Sequence, residues 1–128
     1  MLAPGVGCGA LIVENGRVLL VKRIKAPEAG HWNLPGGRVD LFEALETAVI
    51  RETTEELGVT IALDGLACLI EMVNIDGQHW VSPVYRAHIV RGTPQNREPG
   101  KASAIGWFSL DDLPQPLGLA ARQAMLAR

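Results

Sequence analysis

Cysteine is scarce in this chain of 128 residues, and so is any excess of charge. Cys8 and Cys68 make neither a CxxC pair nor a disulfide framework, which argues against a stapled scaffold or a thiolate metal centre. It suggests small core residues in a reducing compartment. The net charge of -2 lacks the clustered Lys and Arg excess of a protein that grips long nucleic acid. A small phosphorylated ligand stays compatible, because one metal ion and a few placed bases neutralise it locally. No run approaches the roughly 18 apolar residues of a spanning helix, and Met1-Leu-Ala-Pro-Gly lacks the pattern of a signal peptide. The expectation is a cytoplasmic protein with no membrane partner. There is also no linker-like composition shift, repeat or low-complexity tract, so residues 1–128 are expected to form one domain. Its 48% apolar and 20% charged residues suit a chain that buries a real core.

Val6 to Val13 is rich in small and β-branched residues, and Asn15-Gly16 then leads to Val18–Val21, the signal of a hairpin with a type I′ turn. His31 to Leu34 reads as a short strand that Pro35-Gly36-Gly37 must break. Glu43 to Leu57 holds no Gly or Pro and is rich in Ala, Leu and Glu, with Gly58 where a C-cap belongs, so a helix is expected there. Val59–Val73 and His79–Val90 read as strands joined across Asp76-Gly77. Ile105–Phe108 reads as another strand and Leu117–Leu126 as a closing helix. This order of strands, helix, strands and helix suggests an α/β protein with a mixed β-sheet flanked by helices. Gly5-Val-Gly-Cys-Gly9 superficially suggests a dinucleotide loop, but no strand precedes it and no helix follows. Small residues allowing close packing inside a first strand account for it better.

The first helix carries the chemistry. At about 100° per residue, Leu45, Ala48 and Val49 form an apolar stripe, and Glu52, Glu55 and Glu56 continue along the same arc. Carboxylates on an inward-leaning arc repel one another and lose hydration unless something compensates them. A bound cation is the economical remedy. Oxygen ligands without a neighbouring His or Cys favour Mg²⁺, or Mn²⁺, over Zn²⁺. Mg²⁺ commonly leaves positions open to water and substrate phosphates, which points to phosphate chemistry. The turn before the helix can also bring a backbone carbonyl near the ion, since glycine allows close approach.

The spacing Gly37, Glu43, Arg51, Glu52, Thr53, Glu55, Glu56, Gly58, Val59 resembles the Nudix box. Seven specified positions match, at a chance on the order of 10⁻⁹ to 10⁻⁸ for a given start with about 0.06 per residue type. The departure is Thr53, where the pattern has an aliphatic residue; a buried hydroxyl there needs a partner. His31-Trp-Asn-Leu-Pro-Gly-Gly resembles the lead-in to the box. Glu98-Pro-x-Lys, Trp107-Phe108 and Asp112-Leu-Pro114 resemble the later part of small MutT-like members.

The resemblance implies a Nudix-type α/β/α sandwich. It implies that Glu52, Glu55, Glu56 and the Gly37 carbonyl hold the divalent ion and that Arg51 orients an acid of the box. Glu43, off the acidic arc, is assigned a loop-fixing or salt-bridge role. The implied reaction is attack of water on a nucleoside diphosphate linked to another group, X, with cleavage of the P–O–P bridge. The general base is either a box Glu or Glu98, for which an exposed loop acid is the plain alternative. Arg23 is either a substrate phosphate contact or a solvated edge-strand residue. Trp32 either stacks on a base or belongs to the core. His31, His79 and His88 are scattered and have no part in this scheme.

Ile75 stands where ADP-ribose-specific relatives carry Pro, and the tyrosine typical of dinucleoside polyphosphate relatives is missing, as is the Coenzyme A-type pattern. By elimination the expected substrate is a nucleoside triphosphate, cleaved to monophosphate and pyrophosphate, with ADP-ribose or a nucleotide sugar as runner-up. The alternative of another class is a non-catalytic nucleotide-binding sensor, which loss of box carboxylates would favour; all are present. Oligomeric state is not legible, and a homodimer is left open.

Overall fold

A computed structural model describes all residues, Met1–Arg128. The elements are β1 (Gly5–Glu14), β2 (Arg17–Arg23), β3 (Trp32–Asn33), β4 (Gly36–Arg38), α1 (Leu45–Leu57), β5 (Thr60–Ile75), β6 (Gln78–Arg91), β7 (Ala102–Ser109) and α2 (Leu119–Ala127). Seven strands make one sheet in the order β3-β2-β1-β6-β5, with β4 beside β1 and β7 beside β2. The β1–β6 pairing is parallel and the others are antiparallel, so the sheet is mixed.

Alternation along the strands divides the core. Cys8, Ala10 and Ile12 of β1, Leu19 and Val21 of β2, and Tyr85 and Ala87 of β6 pack with Ala48, Val49 and Leu57 of α1. Leu11, Val18, Leu20 and Val84 point the other way, to Ala121 and Ala124 of α2. Side chains two apart share a face of a strand, and each face has its own helix. The result is the expected α/β/α sandwich.

Both hairpins form on the expected turns. Asn15 and Gly16 have φ of 52° and 73°, and Asp76 and Gly77 have φ of 54° and 75°, the positive pair that a type I′ turn requires. The glycines of β1 serve close packing: a side chain on Gly5 would strike the Trp80 ring, and one on Gly7 would strike Ser82.

Three local expectations change. The helix starts at Leu45 rather than Glu43, because the Glu43 carboxylate accepts from the Asp40 N–H (3.1 Å) and pairs with Arg51, which holds it in the preceding loop. Leu45, expected on the apolar stripe, is 39% exposed. The break at Pro35-Gly36-Gly37 contains a strand, β4, which pairs with Gly7–Gly9 of β1. Gly58 does close α1, with φ of 70° and its N–H on the Thr54 carbonyl.

Candidate active site

The short strand β4 crosses the inner face of α1. The Gly36 N–H donates to Glu56 Oε1 at 3.0 Å, and a Cβ on Gly37 would overlap the Glu52 carboxylate. Glycine at 37 is thus a steric requirement for Glu52 to lie where it does. From the opposite side, residues 93–101 dock on the last turn of α1: Gln95 N–H bonds the Leu57 carbonyl and Arg97 N–H the Glu56 carbonyl, both at 2.9 Å. These bonds satisfy helix-end carbonyls and deliver Glu98 and Lys101 to the same pocket. Glu52, Glu56, Glu98, Lys101, Arg23, Lys25 and Arg38 all line it.

The electrostatics divide the acids in two. Burial pushes the Glu56 carboxyl up to about 8, reinforced by Glu52 and Glu98 and opposed by the Gly36 N–H. Glu52 is raised as well, chiefly by burial and against the pull of Arg51. Outside, Arg51 donates to Glu43 at 2.6 Å and 2.8 Å, to Glu52 at 3.0 Å and to Glu55 at 3.2 Å, and lies 3.4 Å from Asp40. The Arg51 hydrogen bonds hold Glu43 down to about 2. Arg51 therefore grips the loop that carries Glu43 and one oxygen of Glu52, as an orienting group would.

The inner residues fit a hard divalent cation. Their donors are oxygens, the preference of Mg²⁺. Glu98 Oε1 is buried with no hydrogen-bond partner, while its Oε2 lies 3.4 Å from Lys101 Nζ. Unpaired buried acids either keep a proton or gain a cation. No three acidic, His or Cys side chains already converge into a closed cage, and Glu55 points elsewhere. Its side chain is 48% exposed and rests on Arg51.

The other expected site residues are placed as follows. Glu98 is not a solvated loop acid; its side chain is 25% exposed and faces the pocket. Arg23 reaches the pocket, and its Nε donates to the Pro27 carbonyl at 2.8 Å. Trp32 stands apart from these residues. It meets Phe108 edge-on at 4.7 Å and packs with the α2-side core, away from both pockets. The ring is half-buried and packs against that one cluster.

A second pocket adjoins the acidic one and shares Arg23, Ala26, Leu34, Gly36, Gly37 and Arg38 with it. Its far end is built from Met72, Trp80, Gln78, Ser82, Glu28 and Asn33. The Arg38 guanidinium stands 5.9 Å from the centre of the Trp80 ring, within cation–π range.

The NUDIX domain model matches residues 1–128. The chain belongs to the Nudix family. A MutT Nudix hydrolase structure from Burkholderia pseudomallei superposes with a TM-score of 0.90 at 54% identity, covering 98% of each chain. An ADP-ribose pyrophosphatase of Methanocaldococcus jannaschii is 30% identical over 115 residues, 89% of this chain and 67% of the relative. A Mycobacterium tuberculosis protein provisionally named 8-oxo-dGTP diphosphatase 2 is 36% identical, covering 88% of this chain and 78% of the relative.

This Nudix hydrolase thus belongs to a family of enzymes that act on small nucleotides and generally use divalent cations. It has no helix long and apolar enough to cross a membrane. The pocket residues that sequence reasoning missed include Arg38, Lys101, Gln78 and Trp80. Two had a signal, since Arg38 directly follows Gly36-Gly37 and Lys101 closes the Glu98-Pro-x-Lys stretch. Trp80 and Gln78 had none, because only the pairing of β6 with β1, which begins at Trp80, and with β5, which reaches Gln78, brings them to the pocket.

Proposed function

We propose that this Nudix hydrolase cleaves a nucleoside triphosphate to a monophosphate and pyrophosphate, with Mg²⁺ as the working ion and Mn²⁺ as a substitute. One observation carries the proposal: a pocket of buried acids and flanking bases opens through shared walls onto a pocket with an aromatic and apolar end. A ligand with phosphates at one end and a base at the other matches that pair. Glu52, Glu55, Glu56 and the Gly37 carbonyl would hold the ion, with Glu55 released from Arg51. When bound, the ion lowers the pKa of the attacking water and neutralises phosphate oxygens.

The chain's own residues supply the rest. Arg51 holds Glu52 in position through Nη1. Arg23, Lys101 and Arg38 present positive charge along the phosphate path. The Glu98 carboxylate, with one oxygen unpaired, takes the proton as the water oxygen bonds to phosphorus and the bridging P–O bond breaks. That bond's electron pair leaves with the departing phosphate. Residues 1–128 act in this scheme as one unit on a free small molecule, with no membrane or polymeric nucleic acid, in the cytoplasm.

Cleavage of ADP-ribose or a nucleotide sugar is the second reading, supported by the name of the Methanocaldococcus jannaschii relative. A panel of nucleoside triphosphates, ADP-ribose and nucleotide sugars, assayed with Mg²⁺ and with Mn²⁺ and with products identified, tests both. Pyrophosphate plus monophosphate is the expected outcome. Orthophosphate from a triphosphate, or turnover of ADP-ribose alone, overturns it. Nucleotide binding without turnover would make the chain a sensor.

A further inference from the structure

Resting on the reading that a nucleotide's base occupies the Trp80 pocket, we propose that Gln78 selects bases presenting a ring carbonyl and rejects those presenting an amino group at that edge.

The polar groups around the far end of this pocket have an asymmetry. Their acceptors are already engaged. Asn33 Oδ1 accepts the Leu34 N–H at 3.0 Å and the Ala121 N–H at 3.1 Å. Glu28 Oε2 accepts the Leu119 N–H at 2.9 Å, and its Oε1 accepts Asn33 Nδ2 at 3.3 Å. Gln78 Oε1 accepts the Trp80 indole N–H at 2.8 Å.

That last bond orients the amide. Indole nitrogen only donates, so turning Gln78 over would set N–H against N–H and leave the indole unpaired. The Gln78 NH₂ is therefore the end left to bond a ligand. Asn33 keeps one N–H, and Arg38 contributes a guanidinium beside the ring. The Ser82 hydroxyl serves in either role. Glu28 and Asn33 are each only 9% exposed, so their engaged oxygens are not turned to a ligand without breaking the cap on α2.

A lining with free donors, whose acceptor oxygens each already hold a bond, is matched best by a carbonyl oxygen. An exocyclic amino group in the same position faces a donor with a donor, and both lose hydration without a partner. Guanine, hypoxanthine, uracil and thymine carry such a carbonyl, whereas adenine carries none. The preference is for the chemistry of the base edge, and it is independent of the chemistry at phosphorus.

The closest pair of probes is inosine triphosphate and adenosine triphosphate, whose purines differ at position 6 by oxygen against NH₂ and, with it, at N1 by N–H against a bare acceptor. Initial rates should give a kcat/KM ratio favouring inosine triphosphate by roughly 10- to 100-fold. Gln78→Glu keeps an acceptor for Trp80 and replaces the free NH₂ by a second acceptor, so that ratio should fall by about 10-fold or more. Trp80→Phe, which carries no new charge, unlocks the amide and should draw the ratio towards one. It also serves if the Glu variant folds poorly. Equal rates on both triphosphates, or a ratio that neither variant moves, would overturn the proposal while leaving the hydrolase reading standing. Hydrolysis of neither triphosphate would bring down the underlying reading, and this proposal with it.

Discussion

Glu43 and Glu56 are the same side chain, both belong to the stretch from Gly37 to Val59, and they titrate in opposite directions. Glu43 lies in a loop against the Arg51 guanidinium and is held down to about 2. Glu56 lies under β4 with one backbone N–H for company and is pushed up to about 8. The difference is burial at Glu56 and the supply of positive charge at Glu43. Arg51 serves the outer acids, Glu43 and Glu55, and touches Glu52 with one nitrogen, but makes no bond to Glu56 or Glu98. Glu43 is complete as it stands and has a scaffolding part, Glu55 must give up Arg51 to reach an ion, and the inner acids need a cation from elsewhere.

The sharpest way to break that division is to neutralise one acid from each side. Glu56→Gln should lower kcat by at least about 10³-fold, the scale on which metal-dependent phosphate chemistry depends on its ligands. Glu55→Gln, at a side chain that rests on Arg51, should cost at least about 10-fold less. Steady-state rates at limiting Mg²⁺ measure both. Equal damage would mean that parting from Arg51 costs Glu55 nothing as a ligand, and that the division of inner from outer acids does not survive binding.

A second way uses pH on the metal-free protein. Below the ordinary carboxyl value of 4.5, Glu56 is protonated in both folded and unfolded chains. Between there and about 8 the unfolded chain sheds the proton and the folded one keeps it, so stability falls as pH rises. Glu43 works the other way: its contribution is full above 4.5 and is lost as pH falls towards about 2. Thermal unfolding in a chelator should therefore show Tm dropping between pH 5 and 8, on the order of 5 °C. Glu56→Gln should flatten that upper slope, and Glu43→Gln should flatten only the acidic one. Excess Mg²⁺ should restore the lost stability at pH 8, since a ligand of the folded state alone stabilises it. An upper slope that survives Glu56→Gln would place the titrating group elsewhere.

The same contrast explains what the sequence disclosed. The α1 helix, its Gly58 cap and both hairpins depend on residues a few positions apart, so their signals are local and legible. The inner and outer acids were only half legible. At about 100° per residue Glu52 and Glu56 fall within the buried arc of Ala48, Val49 and Thr53, whereas Glu55 lies at its margin. A wheel shows direction but not which neighbour waits there, and the neighbour of Glu55 is Arg51. Strand β4 was invisible because its three residues, two of them glycine, pair only through contact with distant β1. Trp32 and Trp80 look alike as exposed-or-core aromatics beside β-branched residues. Both pack against the α2-side core, and only strand pairing gives Trp80 a face on the pocket as well.

Thr53 gives the smallest and most discriminating test of how closed the inner side is. It is the one departure from the family pattern, it is wholly buried, and its hydroxyl donates to the Val49 carbonyl at 2.7 Å. That carbonyl stands four residues back along the helix, where it also takes the helical N–H, so removing the hydroxyl orphans nothing. Valine matches threonine in shape and helix propensity. Thr53→Val should then change stability by no more than about 0.5 kcal/mol and leave kcat unchanged, checked by denaturant midpoint and initial rate. A loss well beyond that would show that the hydroxyl does more than satisfy itself. A backbone shift would then be passing from Thr53 to Glu52, its neighbour on the helix, and the separation of scaffold from inner acids would not hold.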